Sequence, residues 1–216
     1  DMMKGVQLNE YHTWGDFQLV MTEKEISAPE PKTMYVEIEG ADGSLDFTEA
    51  FGDIRYKRRS LKYTFTSLAL RRDFWTEFTR IQNALHGRSF KIIDDEDQEF
   101  YYVGRASMDK WKIDRAIGSF ILDIEAEPYK YRIFETVRTE PVTGTQWFGL
   151  WNDRMPVNPI FSVSAPMTLV FGGKTLSIGT PNTDFTSADI VFRQGNNTLE
   201  VRGEGTLTIR YREGTL

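Results

Sequence analysis

The residue types that carry covalent chemistry are sparse in this sequence. Acyl transfer needs a nucleophile on a strained elbow with a histidine base beside it. There is no cysteine and no G-x-S-x-G, and the only histidines are His12 and His86. His86 falls at the end of a predicted helix, where an imidazole commonly caps carbonyls. GGKT at 172–175 looks like the end of a phosphate-binding loop, yet such a loop begins with a glycine where this chain has Thr168, so the segment reads as a hairpin turn. DDEDQE at 94–99 gathers carboxylates as a calcium loop does, but it lacks the ligand spacing and central glycine of that loop. A solvated hairpin tip is the better reading. A carboxylate pair for glycoside hydrolysis is defined by its separation in the fold, and 32 acids single out no pair.

Two clusters suit binding better than catalysis. Trp147, Phe148 and Trp151 form a tight aromatic group, which fits either an interdomain seam or a platform for a sugar ring; the seam is the simpler expectation. RYKRR at 55–59 sets Arg55, Lys57, Arg58 and Arg59 around one tyrosine. In an acidic chain it reads as an intersubunit salt-bridge surface, with contact to phosphate as the alternative. The expectation is therefore a protein that is not an enzyme and needs no cofactor and no metal.

Composition bounds what must position these groups. A chain of 216 residues buries a core without disulfides, and 40% apolar with 27% charged residues is an ordinary folded balance. The net charge of −6 argues against gripping nucleic acid through its phosphates. No stretch of about 18 apolar residues and no basic-then-apolar leader is present, so a soluble product made in the cytoplasm is expected.

Residues 33–39 place Met34, Val36 and Ile38 on one face, as a half-buried strand requires. A turn at Asp42-Gly43 follows. RSLKYTFT alternates through Leu61, Tyr63 and Phe65. Residues 71–86 change period, gathering Phe74, Phe78, Ile81 and Leu85 on one helical face widened by Trp75, with Gly87 as the stop. A hairpin with its tip at 94–98 and a strand carrying Phe120, Leu122, Ile124 and Ala126, ended by Pro128, complete a mixed α+β domain over residues 1–134. The polar stretch 135–145 has a proline, a glycine and no period, and reads as a linker. From 146 to 216 short alternating runs (IFSVSA, MTLVF, KTLSIG, DIVFR, TLEVR, TLTIRYR) predict a small β-sandwich. The fold class is thus mostly β: an antiparallel sheet with one main helix, then a sandwich. Up to Arg132 there are 19 basic against 24 acidic residues, and beyond it 7 against 8, so the first part carries the larger negative charge.

The order of these pieces resembles a known family. WGDFQLVMTEKEISAPEPK, GADGSLDFTEAFGDIRYKRR, the helix ending in ALHGR, KIIDDEDQEFYYVGR and EPYKYR resemble the amino-terminal domain of siphophage distal tail proteins. NPIFSV through GNNTLEVRGEGTLTIRYREGTL resembles that family's galectin-like carboxy-terminal sandwich. The resemblance implies a homohexameric ring at the distal end of a phage tail, joining the tail-tube protein to the tail-associated hub, lysin or fibre protein. Such rings often carry receptor-binding proteins and enclose a channel through which DNA passes in transit. It also implies that Asp42, Gly43, Pro128 and Tyr129 are turn or strand-end elements of the ring-forming belt. The second domain leaves no room for an inserted carbohydrate-binding module. Carbohydrate binding in host recognition is the alternative function.

Overall fold

The computed structural model describes residues 3–179 and 182–216. The chain divides into two compact units, one running to Lys130 and including Leu216, the other spanning Tyr131–Thr215. Among the described residues no helix is long and apolar enough to cross a membrane.

The first unit holds strands β1 (Val6–Leu8), β2 (Tyr11–His12), β3 (Leu19–Ile26), β4 (Tyr35–Glu37), β5 (Ser44–Asp46) and β6 (Arg59–Ser67). Helix α1 (Phe74–Leu85) and strands β7 (Ser89–Asp94), β8 (Phe100–Asp114) and β9 (Ile117–Ala126) follow. The main sheet runs β2-β1-β7-β8-β9-β6-β3, with every pair antiparallel. Its core contains Leu61, Tyr63 and Phe65 of β6 and Phe120, Leu122, Ile124 and Ala126 of β9, so both alternating patterns are read correctly. Burial and the neighbouring Asp94 charge push the Tyr63 phenol well above its ordinary range, so it stays neutral. Phe74, Ile81 and Leu85 are the buried residues of α1. Trp75 does not widen that stripe; it is 66% exposed, because it points away from the sheet. His86 does not cap the helix with its ring either. Its Nδ1 accepts the Met108 amide of β8 at 3.0 Å, and the C-cap bond is its own backbone N–H donating to Gln82.

The hairpin around 94–99 is a set of ion pairs. Lys24 reaches Asp94 and Glu96, Lys4 reaches Glu96, His12 faces Asp95, and Lys130 reaches Asp97.

A short strand β10 (Lys130–Arg132) spans the boundary, and the second unit then builds one antiparallel sheet around its own core. Its strands are β11 (Thr136–Asn152), β12 (Ile160–Val163), β13 (Met167–Phe171), β14 (Lys174–Ile178), β15 (Asn182–Phe185) and β16 (Gly195–Tyr211), while β17 (Gly214–Thr215) lies outside this sheet and pairs with β10. The expected linker at 135–145 is the first correction: it is the first half of β11, in unbroken register with β16 from Thr136↔Tyr211 to Asn152↔Gly195. The division between the two compact units falls after Lys130, close to the boundary expected at 134. A polar edge strand lacks the apolar alternation that marks buried ones, and an edge tolerates Pro141. TLEVR and TLTIRYR, expected as two strands, are the single β16. DIVFR forms only a bridge at Phe192, although Ile190 and Phe192 are fully buried.

The β11–β16 ribbon cannot be straight. Arg138 and Gly149 would lie roughly 36 Å apart along an extended strand, yet the Arg138 guanidinium donates to the Gly149 carbonyl at 2.7 Å. The bend falls between them, where Gly144 takes a positive φ of 72° that an L side chain resists. One long hairpin therefore turns on itself and encloses Val142, Phe148, Leu150, Leu199, Val201, Leu207 and Ile209. The Gly172-Gly173 pair closes the β13–β14 hairpin, with Phe171 opposite Lys174.

Candidate functional site

The most unusual feature of the first unit is a hairpin left in water. β4 and β5 pair only with each other among the described strands, Tyr35 opposite Asp46 and Glu37 opposite Ser44. Every residue in both strands is exposed. The half-buried face expected for 33–39 is thus not buried within this chain: Met34, Val36, Ile38, Leu45 and Phe47 all stand in solvent, and Phe51 is 88% exposed. Asp42-Gly43 sits in the connecting turn as predicted, with Gly43 at a φ of 83°. Between residues 33 and 53 there are six carboxylates (Glu37, Glu39, Asp42, Asp46, Glu49, Asp53) and no basic residue.

The base of this arm is where the basic cluster went. The Lys32 amide donates to the Arg55 carbonyl at 2.7 Å and the Lys57 amide to Glu30 at 2.8 Å, while the Lys57 ammonium pairs with the Glu30 carboxylate. Arg59 is no surface group: it is 7% exposed, donates to the carbonyls of Ser27 (2.8 Å) and Pro128 (3.2 Å), and lies over the Tyr102 ring. Tyr56 meets Tyr129 edge to face at 5.8 Å. RYKRR and EPYKYR therefore hold each other and clamp the arm's root. Of the four cations, Arg55 and Arg58 remain on the surface without such a role, and Arg58 lines an open cleft of about 470 Å³ with His86, Arg105, Asp123 and Glu125.

A second exposed apolar surface lies at one end of the main sheet. Ser67 pairs with Gly118, and Gly118 with Ile113. This register brings Leu68, Leu70, Ile113 and Ile117 to one end, beside Trp75 at the start of α1, and all five are exposed. Arg71 donates to the Arg115 carbonyl at 2.6 Å, which sets Arg71, Arg72, Lys112 and Arg115 among them. Sequence reasoning missed this patch. Its signal was present in LALRR before the helix and in KWKIDRAIG, where apolar and basic residues mix without a period that would bury them.

In the second unit the aromatic group divides. Phe148 enters the sandwich core, while Trp147 and Trp151 project from the opposite face, 64% and 63% exposed. They cannot act as a three-ring platform, because a strand sends neighbouring side chains to opposite faces.

No family model matches the sequence, and no curated protein matches it. The structure is similar to the crystal structure of SPP1 Dit (gp19.1), described as a paradigm of the hub adsorption apparatus of phages that infect Gram-positive bacteria. The TM-score is 0.73 at 15% sequence identity, over 99% of both chains. The chain has the Dit fold from end to end.

Proposed function

We propose that this chain is a non-enzymatic structural subunit of a phage tail tip, a ring-forming hub between the tail tube and the hub or fibre protein below it. The observation that carries this reading is the acidic, apolar arm. A two-stranded hairpin is marginal alone in water, and exposed apolar patches of this kind mark association surfaces. The same chain carries a surface of complementary chemistry: the exposed patch of Leu68, Leu70, Trp75, Ile113 and Ile117 is accompanied by the arginines and lysine that six carboxylates call for. An arm on one copy and a receiving patch on the next make a heterologous contact, which closes into a ring when the rotation permits. Six copies, a tail-tip location in the virion and docking to tube, hub and receptor-binding proteins are what the sequence resemblance to distal tail proteins implies, and the shared fold supports that resemblance. A channel for DNA suits a first domain of net negative charge, since a basic wall would release counterions and trap the duplex.

Native mass spectrometry and negative-stain imaging of the full chain test the reading. The expected result is a closed ring of six 25.0 kDa chains. A monomer at every concentration, also in the presence of the tail-tube protein, would overturn it.

A further inference from the structure

The outer face of the second unit carries an arrangement separate from the arm and the patch proposed for ring assembly. Trp147, Gly149 and Trp151 alternate with the buried Phe148 and Leu150, so the two indoles share one face of β11 with a residue that has no side chain between them. They stand roughly 13 Å apart along the strand. Across β16, Trp147 is opposite Glu200, Gly149 opposite Thr198 and Trp151 opposite Asn196. A Cβ on Gly149 would lie 2.9 Å from Asn196 Oδ1, so the Asn196 amide fills the floor between the indoles. Glu200 accepts from Arg202 Nε at 2.6 Å, and Thr168 of β13 lies opposite Arg202.

This strand is held rigidly. Three successive carbonyls each accept a side-chain hydrogen bond: Gly149 from Arg138 (2.7 Å), Leu150 from Asn197 (3.2 Å) and Trp151 from the Tyr211 hydroxyl. Burial, reinforced by the Glu213 charge, raises the Tyr211 phenol to about 12, which keeps it a donor. An edge strand fixed in this way presents its two indoles without having to order them on binding.

We propose that this face is a binding site for a neutral oligosaccharide, with Trp147 and Trp151 stacking on sugar rings and Asn196, Thr198 and the Glu200–Arg202 pair meeting the hydroxyls. A pyranose offers a flat C–H face to an indole and a rim of donors and acceptors to polar side chains, and this surface supplies both. The Glu200–Arg202 pair cancels its own charge, which favours a neutral ligand. A protein-docking hot spot differs, because its aromatic anchors sit inside an apolar surround that excludes water. Here the neighbours across the strand pair are Asn, Thr, Glu and Arg.

The test uses the full-length protein with chitopentaose, cellopentaose and maltopentaose, read by tryptophan fluorescence and calorimetry. The expected result is saturable binding of at least one of them, with a Kd between micromolar and millimolar. Trp147→Ala and Trp151→Ala should each weaken it about tenfold, with melting and ring formation unchanged, and Trp147→Phe should retain part of it. Phe134→Ala, which removes a still more exposed ring elsewhere in the second unit, should leave binding intact. The proposal fails if none of the three sugars binds at millimolar concentration, or if binding survives both alanine variants. It also fails if the fluorescence responds to protein concentration and not to sugar, which would make the face a contact between copies. Because ring formation is read separately, failure here leaves the assembly reading standing, and the converse holds.

Discussion

Strands β4 and β6 carry the same message in sequence and meet opposite fates. Met34, Val36 and Ile38 alternate with polar residues just as Leu61, Tyr63 and Phe65 do. In β6 these side chains are fully buried, because β3 and β9 flank the strand and the sheet closes over them. In the arm, among the described residues, they are left exposed. Alternation therefore establishes a strand and an apolar face, but does not say which molecule supplies the cover.

The largest effect that sharpens this comparison comes from removing the arm. Replacing residues 33–53 by a short Gly-Ser turn should abolish assembly, seen by light scattering as a single monomer peak, while the far-ultraviolet circular dichroism of the remainder persists. If rings still form, the arm is not the interface. Next in size is a matched pair of truncations. Phe65→Ala should cost about 3–5 kcal/mol in urea unfolding, the usual price of a large cavity in a core. Leu45→Ala should change the unfolding of dilute, dissociated protein by no more than about 0.5 kcal/mol and show its effect only in assembly. Equal losses in both would mean that the arm is buried within its own chain.

A third, smaller effect concerns charge. The paired substitution Arg71→Glu and Arg72→Glu should weaken self-association at least about tenfold at low salt, because it sets like charges against the carboxylates of an incoming arm. Raising the salt should weaken the unmodified ring in the same direction, as screening shortens to roughly 3 Å at molar salt. Association that is indifferent to both would leave only the apolar contact.

Legibility in the sequence followed burial. β6, α1 and β9 were readable because a one-sided core imposes a period, and the turns at Gly43, Gly87 and Gly172-Gly173 because backbone geometry demands those residues. The polar half of β11 is not readable: TVRTEPVTGT has no apolar period, since an edge strand owes its place to a distant partner, Tyr211 for Thr136 and Arg202 for Thr145. β16 was split in two by Gly203 and Gly205, which look like turns and lie within the strand. At the candidate sites, the cluster at 55–59 was visible as charge, but charge could not tell that Arg59 is consumed by two carbonyls. The tryptophans were visible as a group. Their division from Phe148 needs only the alternation of a strand, and β11 supplies it.

The smallest effect separates two hairpins of the first unit. At 94–98 the carboxylates are matched by cations of the same domain, and the Glu96 carboxyl is held at about 2, against an ordinary 4.5, first by hydrogen bonds from Lys24 (2.6 Å) and Lys4 (2.9 Å) and then by their charges. For Lys24, burial opposes the charged form, yet the bonds to Asp94 and Glu96 prevail and leave its ammonium above its usual value. A carboxyl lowered on folding contributes stability above 4.5, and that contribution is lost as the pH falls from 4.5 towards 2. Glu96 is exposed, so the contribution is small and screened by salt. The melting temperature of Glu96→Gln should therefore lie slightly below that of the parent at pH 7, the gap should close between pH 4.5 and 2, and high salt should narrow it throughout. The arm should behave differently, at the end of β5 remote from its turn. Asp46 is lowered by the hydroxyl and backbone N–H of Thr48, not by a cation, so Asp46→Asn should show an acid response that salt leaves nearly unchanged. A gap at Glu96 that persists at pH 2, or one that ignores salt, would show that its lysine pairs are not what holds that tip.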